Sequence, residues 1–470
     1  MRNMLCLTKY YPNRIILLIT VLFISIYCLS QEAKSIDKEG DEFSYFIDLI
    51  YTKDTINQNK ILHYIAENWK EEYEIMILEL VYFNFDNELG VKLMDIINQK
   101  TGKNLGYSLN DWYKYLWGKE EKTIPNYDYF KGELYRKIDS HFERYFVGQE
   151  KTSKVRFDEI RWGGVKQDGI PPLRNPKMIT VDEANYLADD DIVFGIVVNG
   201  DFRAYPKRIL AWHELFTDSV GGEPVTGVYC TLCGTVILYK STKNNITYSL
   251  GTSGFLFRSN KLMYDQKTQS LWSTVWGEPV VGPLVVKGIQ LDYLSVVTTT
   301  WGAWRKLHPK TLVLSLKTGH GRDYGEGVAY HNYFNNDKLM FSVPKIESEK
   351  IDNKQSILAI RFQDDSSETP VAISVKFLNK NPVYHYKIDS TTLLILTDKT
   401  GANRAYEVGN KSFKKFNRSE NYVKDQNGHH WTIHENYLIN DEGERLNRFQ
   451  TYNAFWFGWQ AAYPNSILIK

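Results

Sequence analysis

Apolar side chains recur at helical spacing through the first part of the chain, from Asp41 to about Val147. One set returns every four residues and predicts a single long helix: Phe130, Leu134, Ile138, Phe142 and Phe146. An earlier set predicts another helix: Ile61, Leu62, Ile65 and Trp69. Ser108 with Asp111 after it is typical of a helix start, and Gly102 is typical of a helix end. The pattern predicts a small all-α domain over residues 31–150, in which a packing or spacer role is favoured over binding of a partner.

The pattern changes after a polar stretch at residues 148–154. From Val155 onward, short β-type runs such as Ile192–Val198 and Val225–Tyr229 are separated by Gly, Pro, Asn and Asp. Asn199-Gly200 follows the first of these runs and is typical of a two-residue hairpin turn. Two segments predict short helices between the strands: Lys207–Phe216 and Gly302–Leu307. The predicted fold class is therefore α+β, with mostly antiparallel β-structure and short helices, preceded by the all-α domain.

The β-rich part contains an internal repeat. Three residues of one segment recur 155 positions later: Trp301, Trp304 and Pro309 return as Trp456, Trp459 and Pro464. Two further pairs are similar, namely Asp265 before Trp272 with Asp425 before Trp431, and Ile192–Val198 with Val371–Phe377. We interpret these similarities as a duplication, with a first repeat at residues 155–345 and a second, diverged repeat at residues 346–470.

The first thirty residues have the organisation of an export signal. Basic residues precede an apolar run from Ile15 to Leu29, which is shorter than the ~20 residues that a membrane-spanning helix needs. Cys28 and Ser30 are small enough for cleavage before Gln31. The alternative is a lipid anchor on Cys28, which the bulky Tyr27 disfavours. We expect an exported protein, periplasmic or secreted, with no membrane span in the mature chain.

Charge narrows the choice of partner. The whole chain has a formal net charge of +1, and the thirty-residue signal holds three basic and no acidic residues, so the mature chain carries −2. Nucleic-acid binding needs a basic face, and this balance gives no indication of one. We therefore expect no nucleic acid, and leave open an unknown small molecule or protein as the partner.

Loss of the signal leaves Cys230 and Cys233 as the only thiols. They stand in a Cys-x-x-Cys-Gly turn between β-prone runs, which predicts a hairpin with both thiols at its tip. The β-branched residues after Gly234 disfavour the helix that usually follows a redox Cys-x-x-Cys. An exported protein either oxidises such a pair or protects it with a metal ion. The corresponding segment of the second repeat, Thr397–Tyr406, has no thiols, so we assign any chemistry to the first repeat.

Histidines provide candidate partners for the thiols. His213, in the sequence Trp-His-Glu, is the predicted third ligand, and Glu214 is a candidate to orient it or to act as a base. The Gly-rich loop at residues 317–325 offers His320 as a fourth ligand, for which a water is the alternative, and Arg322 and Tyr324 as groups for a substrate. The structural alternative is that His213 is a core histidine, and that His320, Arg322 and Tyr324 belong to a Gly-rich surface loop.

Six stretches together resemble a bacterial and archaeal family, domain of unknown function 3179: Asp168–Pro172, Ala204–Pro206, Trp212–Glu214, Cys230–Gly234, Tyr264 to Trp272, and Gly319–Tyr324. The resemblance covers roughly Val155 to Lys470, and the helical segment is similar to one often joined to that family. Thr231 stands where the family usually has Pro, which is expected to make the turn less rigid. The resemblance implies no activity that could be carried over to this chain.

Three classes of function remain open. In the first, the protein binds a transition metal, zinc or copper, through Cys230, Cys233, His213 and His320, and is possibly an enzyme. In the second, Cys230 and Cys233 form a thiol–disulfide redox pair. In the third, the chain is a metal-free ligand-binding or scaffold protein.

Overall fold

A computed structural model describes residues 43–83, 87–120, 122, 124–344, 347, 349–362, 369–388 and 391–470. The chain divides into two compact units, residues 1–65 and residues 66–470. The predicted export signal, its cleavage site and Cys28 lie outside the described residues. In the part of the chain that is described, no helix is both long and apolar enough to cross a membrane.

The described residues form eleven α-helices, most of them before residue 140: α1 (Ser44–Tyr51), α2 (Thr55–Glu67), α3 (Tyr73–Phe83), α4 (Asn87–Thr101), α5 (Leu109–Trp117), α6 (Tyr127–Arg136), α7 (Lys207–His213), α8 (Trp301–Leu307), α9 (His331–Phe334), α10 (Val375–Lys380) and α11 (Trp456–Ala462). The predicted helix start is confirmed, because Ser108 caps α5 by accepting a hydrogen bond from the Asp111 amide. The predicted stop is also confirmed, since α4 ends directly before Gly102, whose φ is +64°.

The single long helix predicted through residues 130–146 is wrong. Helix α6 ends at Arg136, and a short 3₁₀ turn follows at Phe142–Tyr145. Between them the Asp139 carboxylate accepts hydrogen bonds from the amides of His141 and Gln167. A side chain that takes backbone donors in this way stabilises a turn at the expense of the helix. The apolar spacing is nevertheless used, because Phe130, Leu134, Phe142 and Phe146 are all buried.

Strands dominate from residue 160 onward. The first seventeen are β1 (Ile160–Trp162), β2 (Leu173–Arg174), β3 (Met178–Ile179), β4 (Ile192–Val198), β5 (Asp201–Pro206), β6 (Leu215–Val220), β7 (Glu223–Cys230), β8 (Thr235–Lys240), β9 (Thr242–Lys243), β10 (Ile246–Thr247), β11 (Leu250–Phe257), β12 (Asn260–Asp265), β13 (Leu271–Ser273), β14 (Pro279–Val281), β15 (Tyr293–Leu294), β16 (Val297–Thr300) and β17 (Leu312–Leu314). They form three five-stranded sheets, ordered β1-β11-β12-β13-β14, β15-β8-β7-β6-β2 and β16-β4-β5-β17-β3, and the small pair β9-β10.

The remaining strands are β18 (Ser356–Ile360), β19 (Val371–Ser374), β20 (Val383–Ile388), β21 (Thr391–Thr397), β22 (Asn403–Glu407), β23 (Phe413–Asn417), β24 (Tyr422–Asp425), β25 (His430–Ile433), β26 (Tyr437–Asn440), β27 (Arg445–Phe449), β28 (Tyr452–Phe455) and β29 (Ile467–Ile469). They form the sheets β28-β18-β19-β29 and β20-β21-β22-β27-β26-β25-β24-β23. Because nearly all neighbouring strands are antiparallel and the N-terminal region is helical, the predicted α+β fold class is confirmed.

Two local predictions in the β-rich part have clear outcomes. Asn199 and Gly200, both with positive φ, join β4 to β5 in register Val198↔Asp201, so the predicted hairpin is confirmed. The helix predicted over Lys207–Phe216 is too long, since α7 ends at His213 and Leu215 already begins β6. The left-handed backbone of Glu214 separates the two elements.

The two halves of the β-rich part share one strand order. In β16-β4-β5-β17 and in β28-β18-β19-β29, the first three strands are antiparallel neighbours and the fourth is parallel to the third. The helices that begin with Trp301 and Trp456 each connect the first strand of the set to the fourth. Val371–Ser374 is the second strand along the chain in its set and therefore corresponds to β5, so its predicted similarity to Ile192–Val198 is wrong by one strand. The boundaries of the duplication stay a prediction.

Candidate functional site

The Cys-x-x-Cys-Gly segment is the turn of a β-hairpin, as its sequence predicts. Strand β7 ends at Cys230 and β8 begins at Thr235, and these two residues are paired in the register of the hairpin. Cys230 and Cys233 form a disulfide, with their Cα atoms 5.5 Å apart. Gly234 has φ +57°, and a Cβ at this position would lie 2.7 Å from the ring of Phe455. The turn therefore needs glycine both for its backbone angle and for its packing.

The disulfide is enclosed. Cys230 and Cys233 are 2% and 0% exposed and lie in an apolar cluster with Tyr333, Phe341 and Phe457. The Tyr333 hydroxyl donates a hydrogen bond of 2.7 Å to the carbonyl oxygen of Leu232, in the middle of the turn. Helix α11 approaches so closely that a Cβ on Gly458 would lie 2.6 Å from the Cβ of Cys233. Exchange of this disulfide therefore requires the packing around it to open.

Glu214 is the polar centre beside this turn. It follows α7 in a left-handed conformation with φ +56°, and its amide donates to the carbonyl oxygen of Leu210. Its carboxylate is buried and accepts from three donors: the Thr231 hydroxyl at 2.5 Å, the Tyr330 hydroxyl at 3.0 Å and the ammonium group of Lys261. Thr231 thus connects the disulfide turn to a buried ion pair.

Lys261 and Tyr330 were missed by the sequence analysis. Lys261 lies on β12, whose six residues are all buried, but its sequence Asn-Lys-Leu-Met-Tyr-Asp is half polar and does not indicate that the lysine is internal. Tyr330 precedes the one-turn helix α9 and has a positive φ of 58°. Nothing in the local sequence indicates that backbone angle or the contact with Glu214.

The side chain of His213 forms hydrogen bonds with a different set of residues from those around Glu214. This side chain is buried, with Nδ1 2.8 Å from the carbonyl oxygen of Pro171 and Nε2 2.7 Å from the hydroxyl of Tyr324. A carbonyl oxygen only accepts, so Nδ1 carries the proton and Nε2 accepts from Tyr324. Burial, with smaller contributions from the nearby His320 and Arg322, lowers the pKa of His213 to about 4. His213 is therefore a neutral imidazole at neutral pH.

The Gly-rich loop completes this hydrogen-bonded chain at the surface. The Tyr324 hydroxyl, which donates to His213, accepts from the Thr318 hydroxyl at 2.6 Å. The ring of His320 lies 5.1 Å from that of His213, and the Arg322 guanidinium lies 5.6 Å from the ring of Trp212. His320 and Arg322 are exposed, so the loop presents a cationic group and an imidazole to solvent above a buried histidine.

The four predicted metal ligands lie as two separate pairs. The sulfurs of Cys230 and Cys233 are bonded to each other, while the ring of His213, at the end of α7, lies 5.1 Å from that of His320 in the loop. Both ring nitrogens of His213 are already engaged. Among the described residues, no three His, Cys, Asp or Glu side chains form a group that could hold a metal ion. The structure thus brings together each pair but not the set of four.

Comparison with known proteins identifies a family without a known activity. No curated protein and no solved structure matches the chain. A family described as protein of unknown function (DUF3179) matches residues 167–466, which include the disulfide turn, Glu214 with its three partners, and the His213–Tyr324 chain. Since this match covers more than half of the chain, the protein is a member of the DUF3179 family.

Proposed function

We propose that this protein is an exported thiol–disulfide protein in which Cys230 and Cys233 alternate between a disulfide and a dithiol. The supporting observation is the disulfide itself, whose turn is joined through Thr231 to the buried Glu214–Lys261 pair. Its partner is a dithiol, carried either by another exported protein or by a small molecule.

The partner dithiol supplies all the electrons and protons that the exchange reaction needs. A partner thiolate attacks one sulfur of the Cys230–Cys233 disulfide, which forms a mixed disulfide and releases the other cysteine as a thiolate. The second partner thiol then attacks the mixed disulfide and releases the first cysteine. Two electrons and two protons pass from the partner to the cysteine pair, and the partner leaves as a disulfide.

A purely structural role explains the disulfide less well. The entropy that a disulfide removes from the unfolded chain grows with the length of the loop it closes, and a loop as short as this one gives only about 2 kcal/mol, against about 3 kcal/mol for fifteen residues. Such a small gain does not account for a buried ion pair placed against the same turn, because burying charges carries a desolvation cost.

Equilibration with dithiothreitol tests this proposal. We expect the pair to be reduced and reoxidised reversibly in the folded protein, as measured by thiol labelling and mass spectrometry. Cys230→Ser and Cys233→Ser each leave one thiol and serve as standards for the labelled species. A disulfide that is reduced only after the protein unfolds would contradict a redox role.

Metal binding is the second candidate, and the pairing of His213 with His320 favours it. A neutral imidazole 5.1 Å from a second imidazole can begin a zinc or copper site once the Tyr324 hydroxyl releases Nε2 of His213, and the two cysteines could contribute only as thiolates. Metal content of protein purified without a His tag, in oxidised and reduced form, distinguishes the candidates. Metal bound stoichiometrically and lost in a His213→Ala/His320→Ala variant would favour this second function.

Ligand binding by the loop is a further part of the proposal. Arg322 and Tyr324 stand beside the exposed imidazole of His320 and are candidates for contact with a substrate, while Glu214 is too deeply buried to reach one.

Export itself is tested by N-terminal sequencing of periplasmic or secreted protein, for which we expect Gln31 as the first residue. An intact Met1 would contradict export by cleavage, and a lipid on Cys28 would place the protein at a membrane surface.

A further inference from the structure

The ion pair between Lys261 and Glu214 takes no direct part in the thiol–disulfide exchange. Both side chains are buried, with 5% and 6% of their surface exposed, and the ammonium group contacts the carboxylate directly. Burying two charges is costly unless further hydrogen bonds satisfy them. Here the carboxylate also accepts from Thr231 and Tyr330, so one Glu side chain joins four elements of the fold.

The backbone around this carboxylate is also unusual. Glu214 and Tyr330 both have left-handed backbone angles, which residues other than glycine and asparagine rarely adopt. The two residues contact each other through the Tyr330 hydroxyl. The Glu214 carbonyl oxygen additionally accepts from the Tyr229 amide, in the strand that leads into the disulfide turn. Strained backbone of this kind persists only where the surrounding structure holds it, and it is concentrated at functional sites.

Thr231 is the link between this group and the cysteines. It lies between Cys230 and Cys233, its side chain is fully buried, and its hydroxyl donates to Glu214. When the disulfide is reduced, the two sulfurs move from bonding distance to at least van der Waals separation, and the turn gains freedom. A turn held at its middle residue keeps the second thiol close to the first and so raises its effective concentration.

We infer that Glu214, fixed by Lys261, is a positioning residue that holds the Thr231 turn closed and thereby favours the disulfide over the dithiol. This inference rests on the proposed redox function, but it concerns the equilibrium between the two forms and not the identity of the partner. Glu214 acts through Thr231 and needs no contact with the sulfurs.

Thr231→Val is the most direct test, because valine keeps the volume and removes only the hydrogen bond to Glu214. We expect the equilibrium constant with dithiothreitol to shift at least tenfold toward the dithiol, which corresponds to about 30 mV for a two-electron couple. Thr226→Val is the matched control. Thr226 is equally buried and lies in β7, the strand that leads into the turn, but its hydroxyl bonds to Ser241, away from the turn. We expect the equilibrium constant of Thr226→Val with dithiothreitol to equal that of the unmodified protein.

A second pair of variants removes the charges. Glu214→Gln/Lys261→Met should shift the equilibrium in the same direction as Thr231→Val. Its control is Glu79→Gln/Lys131→Met, at a buried ion pair of 2.5 Å in the helical region, which is 1% and 0% exposed. A merely structural role would lower the unfolding temperature of both double variants and leave the redox equilibrium of both unchanged.

The outcomes separate the inference from the proposed function. Reversible reduction of the unmodified protein with an unchanged constant in Thr231→Val overturns the inference and keeps the function. Reduction of the folded variant alone, with the unmodified protein resistant, supports the inference and overturns the function. Resistance of both proteins to every concentration of dithiothreitol overturns both.

Discussion

At the scale of single residues, His213 shows how position sets protonation. The imidazole is buried, and its neutral form is fixed by the Pro171 carbonyl on one side and the Tyr324 hydroxyl on the other. Burial lowers its pKa from 6.5 to about 4. The unfolded chain therefore binds one more proton than the folded protein between pH 4 and pH 6.5. The stability that depends on neutral His213 is complete above pH 6.5 and is lost as the pH falls toward 4.

We predict that His213→Gln reduces the pH dependence of stability in this window. The free energy of unfolding of the unmodified protein should fall more steeply below pH 6.5, by up to about 1.4 kcal/mol per pH unit. Chemical denaturation at a series of pH values measures the two slopes. His429→Gln is the control, because Asp425 raises the pKa of His429 and so places its effect above pH 6.5. Identical slopes for His213→Gln and the unmodified protein would show that His213 is not held neutral.

The residues that carry this site were only partly accessible from the sequence. Local spacing was sufficient for the cysteines, His213 and Glu214, because they stand in short motifs. Lys261 and Tyr330 contact Glu214 from 47 and 116 positions away in the chain, and such contacts depend on which strands are neighbours. The four predicted metal ligands lie as two pairs, because the His213 side chain bonds to Pro171 and Tyr324 while the two cysteines bond to each other, and metal binding by them stays a prediction.

At the scale of elements, the hairpin turn and helix α11 fit together through a single glycine. A Cβ on Gly458 would lie 2.6 Å from the Cβ of Cys233, a distance that real structures do not show. The helix itself is seven residues long and entirely buried, so it has little room to move. The sequence similarity between Trp301–Trp304 and Trp456–Trp459 predicted the helix, but no pattern predicted that its glycine packs on the disulfide.

We predict that Gly458→Ala lowers the free energy of unfolding by about 1–3 kcal/mol, the usual cost of an added methyl group in a close-packed interior. Thermal and denaturant unfolding measure this change. Gly90→Ala is the matched control, because Gly90 lies in helix α4 with no atom within 4 Å of the added Cβ. There, alanine should leave stability unchanged or raise it. Equal effects of the two substitutions would contradict the close packing of α11 on the turn.

The segment around α9 also packs on the disulfide turn. The Tyr333 hydroxyl donates to Leu232, and the Lys354 ammonium group holds the same segment through the carbonyl oxygens of Tyr333 and Asn336. Because the sulfurs are buried beneath it, a reductant gains access only when this segment opens. The rate of reduction should therefore depend on these contacts.

We predict that Tyr333→Phe accelerates reduction of the disulfide by dithiothreitol roughly two- to tenfold, as expected for the loss of one hydrogen bond of about 0.5–1.5 kcal/mol. Quenched thiol labelling over time measures the rate. Tyr82→Phe is the control, since Tyr82 packs against the same apolar cluster but donates to Trp162. A Tyr333→Phe rate equal to that of the control would show that this hydrogen bond does not limit access.

At the scale of the whole molecule, the two predicted repeats share one core. Eighteen buried apolar residues form a single cluster, of which eleven come from residues 215–293 and seven from residues 357–459. Polar contacts cross the same boundary: the Arg361 guanidinium donates to the carbonyl oxygens of Val275 and Trp276, and the Phe455 amide donates to that of Cys233. The repeated Trp and Pro residues predicted two related folds, whereas this mutual burial follows only from their packing.

We predict that a chain ending at residue 345 does not fold cooperatively by itself. Without the second repeat, one face of the shared core is exposed to water. Each large apolar side chain left exposed loses roughly 1.5–3 kcal/mol of the stabilisation that its burial gives. The sum over several such residues reaches the 5–15 kcal/mol that stabilises a typical domain. Near-ultraviolet circular dichroism during denaturation should show no sharp transition for residues 31–345, and a sharp one for residues 31–470.

Co-expression with residues 346–470 should restore the transition and protect the disulfide from dithiothreitol. A sharp transition of residues 31–345 alone, as stable as that of the longer chain, would show that the first repeat is an independent domain and that the covering of Cys233 by α11 is dispensable for its fold.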